Sequence, residues 1–168
     1  MSAKAFNSDA SRNQRRVIIR RDGAGVEMVE LRWGLRPREA GGRPFTLVRA
    51  EGRTFPSHRC LVPASEVHHQ SGGRPYAYSL ADGDWFYLAG VWRPAGQGWP
   101  EAYAILTIVA NVDLAPLHDR QMAVLRRDQR MAWLNLTLPE GELLRPLPAG
   151  SFTVSARRSD PAQMMLAI

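Results

Sequence analysis

Few residues in this 168-residue chain have the chemistry and placement to act on a substrate. His118, in His118-Asp119-Arg120, is the first. Its unperturbed pKa of ~6.5 suits a group that both takes and gives protons near neutrality. The competing reading is structural, with the imidazole capping the following turn. His58, Cys60, His68 and His69 invite a metal reading. Neighbours on a strand point to opposite faces, so His68 and His69 do not share one ion. A structural zinc needs about four ligands, and no pair here has zinc-finger spacing, so no metal and no cofactor is expected. Cys60 lies in the apolar run Arg59-Cys60-Leu61-Val62-Pro63, which marks it as a buried, inert thiol. If Met1 is removed, Ser2 presents a free α-amine of pKa ~7.7–8.0, able to form a Schiff base with an aldehyde.

The elements that must position these groups are mostly strands. Arg15 to Arg21, the turn Asp22-Gly23-Ala24-Gly25 and Val26 to Trp33 read as a hairpin. Gly34 to Pro44 is a loop rich in Gly, Pro and Arg, and Phe45 to Arg49 is briefly extended. Further strands are expected at Arg59 to Pro63, Tyr76 to Leu80, Trp85 to Trp92, Tyr103 to Ala110 and Phe152 to Ser155, with turns at Gln70 to Pro75 and Asp82 to Asp84. One helix opens at Arg127-Asp128, presents Met131, Leu134 and Trp133 to the core and ends before Pro139; a short helical turn follows at Glu140 to Leu144. Residues 1–14 are polar and aperiodic and read as a flexible segment; 15–159 form one domain, and 160–168 read as a loose tail. Many strands with a late helix predict an α+β fold built on a curved antiparallel sheet or open barrel.

Composition narrows the function classes. Hydrophobic residues are 45% and charged residues 23%, as in ordinary globular domains. No apolar run approaches the ~18 residues that span a bilayer, and the polar start has no signal-peptide core. A lone cysteine cannot form an intrachain disulfide, which fits a reducing, cytoplasmic setting. The net charge is +6, and Lys4 is the only lysine among 22 cationic side chains. Excess positive charge favours phosphate-rich partners through counterion release. An arginine-for-lysine bias also follows from a GC-rich genome, which accounts for the ratio better than for the net charge.

Four pieces occur in a telling order: Arg32-Trp33-Gly34-Leu35, Arg49-Ala50-Glu51, Arg59-Cys60-Leu61-Val62-Pro63 and His118-Asp119-Arg120. Ala89-Gly90-Val91-Trp92 and a strand ending Ala110-Asn111 lie between them. From roughly Arg15 to Ser159 the chain resembles the SRAP domain, the SOS response-associated peptidase family of abasic-site processing proteins. That resemblance implies binding of single-stranded DNA, recognition of an abasic site, and attack on its sugar aldehyde by a cysteine exposed after Met removal. The product is a thiazolidine cross-link, supported by an Asn, a Glu and a His; the same cysteine removes a short propeptide in members that have one.

The chain departs from the family at those positions. Met-Cys-Gly-Arg reads Met1-Ser2-Ala3-Lys4, Asn-Ala-Arg reads Leu47-Val48-Arg49, and the family's glutamate falls at His69. A hydroxyl is a poor replacement for a thiolate nucleophile. His118 alone stands where the family expects it. The resemblance places Arg49 and Arg120 against DNA phosphates, which guanidinium grips bidentately, unless they pair internally with Glu51 or Asp119. The family's aromatic wedge after Trp-Gly is replaced by a stretch carrying Arg36, Arg38 and Arg43.

The sequence therefore predicts a monomeric, catalytically degenerate DNA-damage-response protein (a pseudoenzyme). It would bind single-stranded or abasic-site DNA through Arg36, Arg38, Arg43, Arg49 and Arg120. Two alternatives stand: an enzyme with rewired chemistry on His118, with His69 or Ser2, and a vestigial or protein-interaction module without DNA affinity.

Overall fold

The computed structural model describes residues 3–8 and 14–157. In chain order its strands are β1 (Phe6–Asn7), β2 (Arg15–Asp22), β3 (Gly25–Trp33), β4 (Leu47–Arg49), β5 (Arg59–Ala64), β6 (Val67–Ser71), β7 (Arg74–Leu80), β8 (Phe86–Arg93), β9 (Ala102–Val109), β10 (Arg120–Met122), β11 (Val124–Leu125) and β12 (Phe152–Ala156). The helices are α1 (Arg130–Asn135), preceded by a 3-10 turn at Arg127–Gln129, and α2 (Glu140–Leu143).

The predicted fold class holds. Strands β9, β3, β2, β5 and β8 follow one another, and β8 pairs back onto β9, so the curved sheet closes into a ring. Most pairings are antiparallel, but β3 and β4 both run parallel to β9. A second sheet, in the order β1-β6-β7-β12, packs against the ring. Its β6–β7 hairpin turns at Gly72 and Gly73, both with positive φ, which suits a two-residue hairpin loop.

Strands β5, β8 and β9 are apolar on both faces because both are covered. Cys60, Val62, Phe86, Leu88, Tyr103 and Ile105 join a cluster shared with the second sheet. Leu61, Tyr87, Ala89, Ala104 and Leu106 face the other way, under Trp133, Leu134 and Leu143 of the helices. This is why those segments read as continuous runs rather than as alternations.

Gly90 marks the tightest approach in the ring. A Cβ there would sit 2.8 Å from the Ala104 carbonyl oxygen and 2.9 Å from Cys60 Sγ. The carbonyl belongs to the paired strand and cannot yield without opening the β8–β9 ladder. Gly90→Ala is expected to cost ~1–3 kcal/mol by overpacking. The urea midpoint should fall with an unchanged slope; an unshifted midpoint would refute the steric argument.

Three expectations are corrected. Residues 3–8 were read within a flexible segment, yet Phe6 is buried and β1 runs parallel to β6. Arg16 explains the anchoring: its guanidinium donates to the carbonyls of Lys4, Ala5 and Pro63 and lies over the Phe6 ring. Val67 to Ser71, expected in part as a turn, is a strand. The helix is shorter than predicted, ending at Leu136 in the left-handed conformation, and it buries Trp133 and Leu134 but leaves Met131 exposed. No helix among the described residues is long and apolar enough to cross a membrane.

Candidate functional site

A cavity of about 150 Å³ lies where the second sheet meets the β4–β9–β10 edge of the ring. Leu47, His69 and His118, three positions singled out from the sequence, line it together. Val67, Tyr76, Tyr78, Leu114, Leu117 and Met122 make the rest of its wall largely apolar.

Each side chain is placed by a local device. His69 sits on β6, opposite Tyr76 of β7. His118 ends a tight loop begun by Asn111. The Asn111 side-chain oxygen accepts the Leu114 N–H, and the N–H groups of Ala115 and His118 go back to the carbonyls of Asn111 and Leu114. This is the capping role that asparagine fills at a helical turn. Asn111 is itself buried and held by Gln121, whose Oε1 accepts its backbone N–H. The His69 and His118 rings meet edge to face, centroids 5.3 Å apart.

Ser8, which the sequence did not mark, closes the cavity. Its hydroxyl donates to the His68 carbonyl at 2.7 Å and lies 2.9 Å from Nδ1 of His69. Nothing in the polar run around it signals this, because its partners lie about sixty residues away in sequence. Ser2 lies outside the described residues. Lys4, at the near end of the same segment, lines a separate groove with Pro63 and Arg16.

The arginines divide by environment. Arg120 lines the cavity, and its guanidinium forms a two-pronged pair with Glu51 at 2.7 and 2.8 Å. It also donates to the carbonyl and hydroxyl of Thr107. Arg49 stands at the same edge with its side chain 68% exposed, 3.9 Å from Glu51. Along that segment Phe45, Leu47 and Arg49 all face solvent, at the two-residue period of an extended chain. Arg36, Arg38 and Arg43 are exposed on the preceding loop; Arg36 lines a groove with Phe45, Arg93 and Trp99, and Arg38 lies over Phe45. Trp99 is packed rather than free, its indole N–H donating to the Gly34 carbonyl and its ring covered by Arg32.

The Arg120 hydrogen bonds, above all, pull the Glu51 carboxyl down from 4.5 to about 2. A carboxylate held low stabilises the fold above its ordinary pKa, and that contribution is lost as pH falls through the folded value. Stability should therefore decline between about pH 4.5 and 2 in the parent and be flatter there in Glu51→Gln. Urea midpoints across that window check this, and parallel curves would refute it.

The remaining candidates scatter. His58 packs on Trp92, Cys60 is fully buried with its thiol pushed far up by desolvation, and His68 pairs with Glu66. No group of three or more metal-binding side chains occurs among the described residues.

The SRAP family (SOS response associated peptidase) matches residues 2–158. The abasic site processing protein YoaM of Bacillus subtilis is 28% identical over 151 residues, which cover 78% of this chain and 66% of that protein. A crystal structure of a Bacteroides thetaiotaomicron protein superposes with a TM-score of 0.69 at 21% identity, covering 90% of this chain and 77% of that one. A Bordetella bronchiseptica protein gives 0.67 at 23% identity, covering 92% of each. With a family match across nearly its whole length, the chain belongs to the SRAP family.

Proposed function

We propose that this protein serves the DNA-damage response by binding single-stranded or abasic-site DNA, and that it does so without cysteine-dependent cross-linking or self-cleavage. The observation that carries the reading is the convergence of Leu47, His69 and His118 on one cavity, with exposed Arg49 at its edge. An uncharged, compact sugar lesion suits a small apolar cavity, while the flanking phosphates need cations outside it. Phe45, Leu47 and Arg49 form an exposed stripe from the arginine-bearing loop to that cavity. Aromatic stacking and guanidinium contacts are what single-strand binding uses.

Arg36, Arg38, Arg43 and Arg49 supply the phosphate contacts on this reading. Arg120 would meet a phosphate only by surrendering Glu51, so its first role is to hold the cavity wall. The protein acts as a cytoplasmic monomer and needs no metal. The name of the B. subtilis relative, an abasic site processing protein, points the same way. The edge-to-face contact of His69 with His118 favours a second reading, in which the cavity retains proton-transfer chemistry of its own.

Fluorescence anisotropy tests the proposal with an oligonucleotide carrying one abasic site, an intact match and two salt concentrations. Salt-sensitive binding that favours the abasic strand is expected. Absence of binding at low salt would overturn it and leave a protein-interaction role.

A further inference from the structure

We propose that the groove beside the β8–β9 connection is a nucleobase subsite, which takes a nucleotide flanking the lesion on the same DNA strand. The groove is separate from the small cavity, encloses about 450 Å³, and has Arg36, Phe45, Arg93, Gln97, Trp99 and Pro100 in its lining. No carboxylate lines it. Arg36 and Arg93 are exposed and form no ion pair among the described residues. Arg93 uses one donor, on the neighbouring Trp92 carbonyl. Two unneutralised cations call for an anion, and an aromatic and proline wall calls for a flat apolar body. A nucleotide carries both in one unit.

The walls are fixed without a ligand. Phe45 and Leu35 exchange two backbone hydrogen bonds, of 2.9 and 3.0 Å. The Phe45 ring, with Arg38 over it, is still 39% exposed. Trp99 is held by its indole N–H on the Gly34 carbonyl and by Arg32 over its ring. The rim is a two-residue turn in which Gly96 and Trp99 exchange backbone bonds of 3.0 Å. Its central residues, Gln97 and Gly98, have φ of 51° and 76°. Such a turn favours Asn, Asp or Gly at both positions. Gln97 therefore holds its amide on the rim at a cost in backbone strain.

The two chain segments that form the groove differ in chemistry. Arg36 leads into the loop that carries Arg38 and Arg43, so it meets the phosphate. Arg93 and Gln97 come from β8 and the turn after it, and they offer donors and an acceptor to the edge of a base stacked on Phe45. Phe45 also begins the stripe that runs through Leu47 to the cavity. Two residues of extended chain span about 7 Å, or about two nucleotides at the ~3.4 Å rise of a stacked strand. One strand thus reaches both places. An amide that turns either way suits every base, so the subsite tolerates sequence.

This subsite rests on the DNA-binding reading above, and its test separates the two. The ¹⁵N-labelled full chain is titrated with deoxyadenosine 5′-monophosphate, with 2-deoxyribose 5-phosphate (which lacks the base) and with a tetraglutamate peptide. The nucleotide should shift the amide signals of Phe45, Arg93 and Gln97 and the indole signal of Trp99; the other two probes should not. Equal shifts with the sugar phosphate would reduce the groove to an anion site, and equal shifts with the peptide would assign it to an acidic protein partner; either overturns the proposal. In anisotropy titrations of an abasic-site oligonucleotide, Arg93→Gln and Gln97→Gly should each weaken binding about 5-fold, the loss of one net hydrogen bond. Gln97→Gly should do so without lowering the urea midpoint, which a merely structural role would not allow. Unchanged affinity in both variants would overturn the subsite and leave the DNA reading standing. Should the parent bind no oligonucleotide, the DNA reading fails and the mononucleotide titration alone decides the groove.

Discussion

Replacing Arg59 with methionine is expected to destabilise the fold by about 3–5 kcal/mol, the range for removing one partner of a buried ion pair. The Arg59 side chain is only 4% exposed. Its guanidinium donates to Glu140 at 2.9 Å, to the Phe55 carbonyl at 2.8 Å and to the Trp133 carbonyl at 3.1 Å, and it lies over the Trp133 ring. It thereby ties β5 to α1, to the start of α2 and to the 50–57 segment. Methionine fills much of the volume but leaves two carbonyls without their donor and the Glu140 carboxylate without its counter-charge. Each such group costs about 1–3 kcal/mol when buried. The double variant Arg59→Met with Glu140→Gln should recover part of the loss, because the amide oxygen still accepts the Phe55 N–H now given to Glu140 without leaving a charge. Urea unfolding of the three chains measures this. A single-variant loss below about 1 kcal/mol would mean that water reaches the site and solvates what methionine leaves.

Affinity for single-stranded DNA should fall about 50-fold when salt rises from about 50 to 200 mM. That figure follows if the proposed DNA site makes four phosphate contacts, through Arg36, Arg38, Arg43 and Arg49, at a slope of about −0.7 per contact for single strands. Arg49→Ala should lower the slope by about 0.7 and weaken binding on abasic and intact strands alike, since a phosphate contact carries no sequence or lesion information. Arg120→Ala should change the slope less, because Glu51 already offsets its charge. Anisotropy titrations at several salt concentrations separate the two. A larger slope change for Arg120 than for Arg49 would mean that phosphate displaces Glu51, and would reverse the assignment of the gripping residue.

Much of the barrel was readable before any coordinates. The runs at 59–63, 85–92 and 103–110 announced buried strands, since a strand covered on both faces must be apolar throughout. The first hairpin showed itself through its turn residues. The second sheet was harder to see. Val67-His68-His69-Gln70-Ser71 alternates weakly and is only partly buried, so its strand state comes from pairing with β7 and β1. Strands β10 and β11 are three and two residues long, too short for a period to show.

The candidate site was legible in its residues and not in its assembly. His118, His69, Leu47 and Arg49 could be named from motif order, and the lone cysteine could be dismissed from its apolar neighbours. The sequence by itself therefore determined the strand-rich barrel, the basic charge and the family-like positions, because those follow from local pattern and residue type. Only the tertiary structure decided that Ser8 meets His69, that Glu51 holds Arg120, and that Phe6 anchors a segment read as flexible. Each of these joins residues about sixty or more positions apart, and such contacts are fixed by strand pairing and burial across the whole chain, which leave no trace in the neighbouring residues.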